Sequence, residues 1–155
     1  MIEIIQTQDS KLLAEMNEEI QTLHHEIYPN IFKPYNKDAV LNFFAETFKE
    51  KNAVAFIAME NEKPLGYLLL FIINFKENPF QYSRNYILLD QIVVLKSHQL
   101  KGIAKQLMET TFSFARANKM ESIELNHWTK NNAAKAFFNK LGFEYYNEKM
   151  WKVLE

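Results

Sequence analysis

Apolar residues recur along this chain in two rhythms that trade places from segment to segment. Ile2 to Gln6 reads as a short strand. Leu12, Leu13, Met16, Ile20, Leu23 and Ile27 then recur at three- and four-residue steps, which predicts one helical stripe that Asp9 or Ser10 can cap and that Pro29 and Pro34 interrupt. A second helix is expected from Asn36, burying Val40, Phe43, Phe44 and Phe48. Beyond it, "AVAFIAM" and "PLGYLLLFI" flank the polar "ENEK", the pattern of an antiparallel hairpin whose strands are apolar enough to lie mid-sheet.

The run Asn85 to Leu95 is apolar except for Asp90 and Gln91. A helix is expected from about Lys101 to Asn118, with Ala104, Leu107, Met108, Thr111 and Ala115 on one stripe, and "SIELNHW" alternates as a strand. Strand, helix and strand in that order imply parallel strands joined by a right-handed crossover. Ala134, Phe137, Phe138 and Leu141 mark a short helix that Gly142 can end in the left-handed region, and "FEYY" and "MWKVL" are expected to close the domain as a hairpin around "NEK".

Gly102 falls between the Asn85 to Leu95 strand and the helix after it, in a chain with only three glycines. A glycine there lets backbone N–H groups approach an anion at a helix N-terminus, with Lys101 and Lys105 adding charge. The plainer alternative is that it relieves a tight turn. The spacing fits neither the three-glycine dinucleotide fingerprint nor the P-loop.

Composition narrows the remaining classes. A chain of 155 residues, nearly half apolar and without a Pro-, Gly- or Ser-rich stretch, is read as a single domain spanning 1–155. Lys and Arg total 18 against 19 Asp and Glu, so no global field favours nucleic acid or an anionic membrane. The N-terminus lacks the pattern of a signal peptide and no apolar run nears the roughly 20 residues of a spanning helix, so a cytoplasmic protein is expected. With no cysteine, disulfides, thiolate metal sites and a cysteine nucleophile are excluded; the four His show no zinc-ligand spacing, and no metal is expected.

The segments "LLDQIVVLKSHQLKGIAKQLM" and "IELNHWTKNNAAKAFFNKLGFE" together resemble the acetyl-CoA-binding half of the GNAT acetyltransferase superfamily. The first carries a strand, the loop Arg/Gln-x-x-Gly-x-Gly/Ala as Gln99, Gly102 and Ala104, and a helix. The second carries a strand, Asn131 seven positions before Phe138, then Gly142 and Phe143. The resemblance spans roughly Leu88 to Phe143. It implies an α/β fold with a mixed, mostly antiparallel sheet of six or seven strands, a splayed parallel central pair and about four flanking helices. It also implies transfer of the acetyl group of acetyl-CoA to an amine.

By that resemblance, main-chain groups of Ile92, Val93 and Val94 would meet the pantetheine arm. The loop and helix start formed by Gln99, Leu100, Lys101, Gly102, Ile103, Ala104 and Lys105 would hold the pyrophosphate, and Asn131 and Phe138 would lie along the cofactor. Asn131 can equally cap the helix that follows it.

Attack of an amine on a thioester calls for a base, an oxyanion donor and protonation of the departing thiolate. By the same resemblance, Asp90 holds a position where related enzymes often carry Glu or Asp and is the candidate base or amine anchor, with a salt-bridged or solvated carboxylate at a strand irregularity as the alternative, and the Val93 N–H is the candidate oxyanion donor. Family members commonly place Tyr where this chain has Phe138, which has no proton to donate. Tyr145, Tyr146 or water is left for that step, and Tyr145 is taken as the candidate. The resemblance also implies that His24 to Tyr35 and Glu77 to Arg84 line the acceptor cleft; Glu26, Tyr28, Phe80 and Asp90 are the candidate contacts there, suited to a cationic amine, although "YPN" and "NPF" are turn formers whose aromatics also suit a packing role. A non-catalytic acyl-CoA-binding or sensor protein on the same scaffold is the alternative function, and an interaction module using its aromatic hairpins is a third. Homodimers are compatible with the fold.

Overall fold

A computed structural model of the chain describes residues 1–154. Five strands form one sheet in sequence order: β1 (Glu3–Thr7), β2 (Ala53–Glu60), β3 (Lys63–Phe75), β4 (Arg84–Val94) and β5 (Ser122–Leu125). The first four pair antiparallel and β4 pairs with β5 in parallel. The β2–β3 hairpin turns at Asn61 and Glu62, both at positive φ, as a two-residue turn matched to strand twist requires.

Helices cover both faces. On one side α1 (Ser10–Met16) and α3 (Lys37–Thr47) pack Leu13, Ala14, Met16 and Phe44 against Ala55, Ile57, Tyr67, Leu69 and Val93. On the other, α4 (Ile103–Ala117) and α5 (Asn132–Lys140) bury Ile103, Leu107, Met108 and Phe138 against Phe56, Leu68, Leu70, Ile87 and Leu89. Both faces of the middle strands are therefore covered, which explains why β2 and β3 read as nearly continuous apolar runs.

Two features depart from the sequence reading. The stripe from Leu12 to Ile27 is divided at buried Asn17, which ends α1 and precedes α2 (Glu18–Ile27). Its amide nitrogen donates to Tyr67 Oη at 2.8 Å, so the side chain faces the sheet where a continuous stripe would place an apolar residue. Helix α2 has no buried residue and stands as a wall beside the sheet.

The expected C-terminal hairpin is absent among the described residues. Residues 143–154 carry no strand, and Met150, Trp151, Val153 and Leu154 are exposed. The sheet thus has five strands rather than six or seven. This tail is tied to the β5 side by side chains: Tyr145 Oη lies 2.7 Å from His127 Nε2, and Tyr146 Oη donates to Glu124 at 2.8 Å. Arg84 also binds Glu124, at 2.6 Å.

Candidate functional site

The site begins with a slip in the β3–β4 ladder. Leu69 pairs with Gln91 and Leu70 with Leu89, so Asp90 is an extra residue, a β-bulge in β4. Side chains alternate across a sheet, and one inserted residue reverses the alternation. Before the bulge, Ile87 and Leu89 face α4; after it, Ile92 and Val94 face that side while Val93 turns toward α1 and α3. The polar interruption Asp90-Gln91 is the sequence trace of this reversal.

The bulge also ends the parallel pairing. Four pairs join β4 to β5, the last being Leu89 with Leu125, whereas β4 continues to Val94. From Asp90 onward the β5-facing edge of β4 has no strand beside it, and a cleft of about 310 Å³ opens there. Asp90, Ile92 and Val93 line it from β4, and Asn131 and Phe138 line it from α5.

Gly66 lets β3 follow this path. A Cβ on it would lie 2.6 Å from the Val93 carbonyl oxygen and 3.2 Å from Val94 Cα. No side chain fits between the strands without displacing the stretch of β4 that forms the cleft edge.

At the end of β4 the chain turns through a short 3₁₀ segment (Lys96–His98) into α4. Leu100 and Gly102 both adopt left-handed conformations, φ 62° and 79°. Alternating handedness of this kind aims successive N–H groups into one concavity. The first helical bond of this end runs from Gln106 N–H to Gly102 C=O at 3.1 Å, so the N–H groups of Ile103, Ala104 and Lys105 lack partners within the helix. No acidic residue occupies the first turn, and a Cβ on Gly102 would meet nothing within 4 Å. Gln99 and Lys101 brace the loop, their side chains donating to the carbonyls of Val94 and Ser97. These residues fit an anionic diphosphate, with open space beside uncapped donors.

Across the cleft stand α1 and α2. A buried polar group joins them to the bulge: Tyr67 Oη donates to Gln91 Oε1 at 2.7 Å, and Asn17 donates to both. Burial raises the Tyr67 pKa and keeps its phenol neutral. Asp90 retains solvent contact, yet burial of its carboxyl in the cleft raises its pKa above the ordinary carboxylate value. Burial lowers the pKa of His24, which lines the same cleft, and so favours its neutral form.

His24, Phe32 and Trp128 form an aromatic wall. His24 stacks on Phe32 at 4.7 Å, and Phe32 meets Trp128 edge-on at 4.8 Å. Tyr28 packs on Trp128 at 5.1 Å, lies 3.2 Å from Thr129 Oγ1 through its hydroxyl, and accepts the Lys130 N–H, fastening the end of α2 to the loop after β5.

The structure thus brings together Asp90, Ile92, Val93, Asn131 and Phe138, with Tyr28 packed against the wall of the same cleft. Asn131 also caps α5, its side chain accepting the Ala134 N–H at 3.1 Å. Glu26 is exposed on α2 and outside the cleft lining, and Phe80 is 94% exposed on the β3–β4 connection. Tyr145 reaches the site through His127, whose ring lines the cleft. The sequence reading did not name Asn17, Gln21, His24, Phe32, Tyr67, Gln91, His127 or Trp128 as site residues, although His24 and Phe32 lie in the stretch His24 to Tyr35 expected to line the acceptor cleft. Of the others, Gln91, beside Asp90 in an apolar strand, carried a local signal.

Residues 17–143 match the sequence model of the Acetyltransferase (GNAT) family, and the chain belongs to that family. It is 30% identical over 112 residues to L-2,4-diaminobutyric acid acetyltransferase of Halalkalibacterium halodurans, covering 72% of this chain and 52% of that protein. It is also 30% identical over 107 residues to an N-alpha-acetyltransferase of Saccharolobus solfataricus, covering 66% and 63%. The chain therefore spans less than two thirds of the length of either curated relative. A tetramutant of the BH1408 protein from Bacillus halodurans superposes with a TM-score of 0.90 at 20% identity, over 99% of both chains. The aminoglycoside N-acetyltransferase AAC(6')-Iy, solved in complex with CoA, gives 0.72 at 20% identity over 99% and 95%. These structures share the fold.

Proposed function

We propose that this chain transfers the acetyl group of acetyl-CoA directly to an amine. The observation that carries this reading is the Asp90 bulge, which opens the β4 edge onto a cleft, together with the uncapped, glycine-started helix α4 that follows the end of that strand. Curated relatives named as acetyltransferases support the same chemistry.

Main-chain groups along Ile92 to Val94 bind the pantetheine, and the N–H groups from Gln99 to Lys105 hold the pyrophosphate. Asn131 and Phe138 close the cleft from α5. The amine nitrogen attacks the thioester carbonyl carbon, forming the C–N bond while the carbonyl electrons move to oxygen. The Ile92 N–H, on the open edge of β4, steadies that oxyanion, a contribution of about 3 kcal/mol where such a donor is aligned; the Val93 N–H expected from the sequence cannot, because Val93 pairs with Tyr67 and its main-chain groups face β3. Asp90, directly or through water, anchors the ammonium and takes its proton; burial brings the carboxyl pKa nearer to that task. The intermediate then collapses: the C–S bond breaks, the nitrogen gives up its second proton, and the thiolate gains one by relay through Tyr145 or water, leaving neutral amide and thiol. Phe138, only 6% exposed and packed on Phe137 and Phe143, contributes shape to this end of the cleft.

The test combines thiol release from acetyl-CoA over a set of amines with calorimetric titration of CoA. Binding with turnover supports acetyl transfer. Tight binding without turnover on any amine moves the protein to an acyl-CoA sensor, the outcome that Phe138 makes worth measuring, and absence of CoA binding overturns the site.

A further inference from the structure

The chemistry of the acceptor side is uneven in a way that restricts the amine. Asp90 is the one Asp or Glu lining the cleft among the described residues, and no Lys or Arg lines it. The other polar side chains there are amides, the Trp128 indole and the imidazoles of His24 and His127, and burial favours the neutral form of His24. The same cleft is lined by the rings of His24, stacked on Phe32, and of Trp128, which Phe32 meets edge-on and which remains 39% exposed. The rim adds positive charge: Lys130 Nζ sits over the Tyr28 ring at 4.9 Å.

A second ammonium brought into such a cleft would lose water without gaining a carboxylate, at a rim that already carries a lysine. A carboxylate on the acceptor would lie in the same cleft as Asp90 with no lysine or arginine in the lining to pair with it. A planar apolar body would gain the burial and ring contacts that the wall offers.

Building on the acetyl-transfer reading, we propose that the acceptor is an arylalkyl primary monoamine. Its single ammonium binds at Asp90 and its ring lies against His24, Phe32 and Trp128. Polyamines, aminoglycosides and free diamino acids are then poor acceptors.

The experiment compares 2-phenylethylamine, spermidine, tobramycin and L-2,4-diaminobutyrate by thiol release, with CoA affinity measured in the same preparation. The expected result is a kcat/KM for 2-phenylethylamine at least about tenfold above each of the others. Phe32→Ala is expected to raise its KM by about tenfold with a smaller change in kcat, and Phe32→Leu, which keeps apolar volume, to recover part of that loss.

Binding is read independently of turnover in a Trp151→Phe protein, which leaves Trp128 as the one tryptophan of the chain. There 2-phenylethylamine is expected to shift the fluorescence saturably, and spermidine to leave it unchanged. Highest kcat/KM on spermidine, tobramycin or diaminobutyrate overturns the substrate class while leaving acetyl transfer standing. Retained CoA binding with neither turnover nor a fluorescence response to any amine overturns both.

Discussion

The two sides of the cleft are built from different material. On the β4–α4 side, the groups offered to a ligand belong to the main chain: the unpaired edge after Asp90 and the N–H groups at the start of α4. On the α1–α2 side they are side chains, drawn from Asn17, His24 and Phe32 and from Trp128 about a hundred residues away. A main-chain site tolerates many side chains provided that the backbone follows one path. A side-chain site depends on which residues stand there, so the same fold can keep one ligand while changing the other.

The sharpest way to break this comparison is Gly102→Glu. The left-handed backbone and a carboxylate at the anion site are both unfavourable, and CoA affinity is expected to fall by more than about 100-fold. No atom lies within 4 Å of the added Cβ, so circular dichroism and 2-phenylethylamine binding should change little. Unchanged CoA affinity in calorimetry would remove the loop from the site.

Asp90→Asn addresses the opposite side. We expect kcat to fall by about 100-fold with CoA affinity retained. The raised pKa makes a second, opposite expectation. A carboxyl whose pKa is higher folded than unfolded binds its proton more tightly in the native state, so its ionisation costs stability as pH rises through the folded value. Asp90→Asn should therefore raise Tm at neutral pH, and the gain should vanish as pH falls below the ordinary carboxylate range. In the wild-type protein the same ionisation predicts activity that declines as pH drops through the raised Asp90 value. A flat kcat across that limb would argue against Asp90 as base.

Gly66→Ala tests whether the main-chain side depends on strand path alone. With a Cβ 2.6 Å from the Val93 oxygen, β4 must shift, and we expect a loss of about 2 kcal/mol in chemical denaturation, within the range for overpacking. CoA affinity should weaken with it although Gly66 is outside the cleft lining. The smallest effect is expected for Tyr145→Phe, which removes the hydroxyl facing His127. A drop in kcat of about tenfold or less at saturating amine is expected because water can replace it. No change would assign the proton to water.

The contrast also explains what could be read beforehand. The left-handed turn before α4 was legible because Gly102 obeys a local rule, that a left-handed residue at a helix start has few substitutes; a phosphate role for it came only from the resemblance of Gln99, Gly102 and Ala104 to a family loop. Asp90 and Gln91 were visible as polar residues in an apolar strand, although only the ladder revealed that one of them is inserted and that the facing of Ile92, Val93 and Val94 reverses. The helix division at Asn17 was hidden, because an Asn on an apolar stripe shows no partner until Tyr67 and Gln91 are brought beside it. The C-terminal alternation "FEYYNEKMWKVL" suggested strands, but alternation alone supplies no partner; here Tyr145 and Tyr146 are engaged by His127 and Glu124 instead.

Apolar period and helix punctuation, acting over a few residues, determined the order of elements, the β-α-β unit and the glycine turn that starts α4. Tertiary structure alone decided which rings share the cleft with Asp90, where β4 leaves β5 and how Tyr67 is shared. Those depend on contacts between positions distant in sequence, where geometry rather than spacing selects the partner.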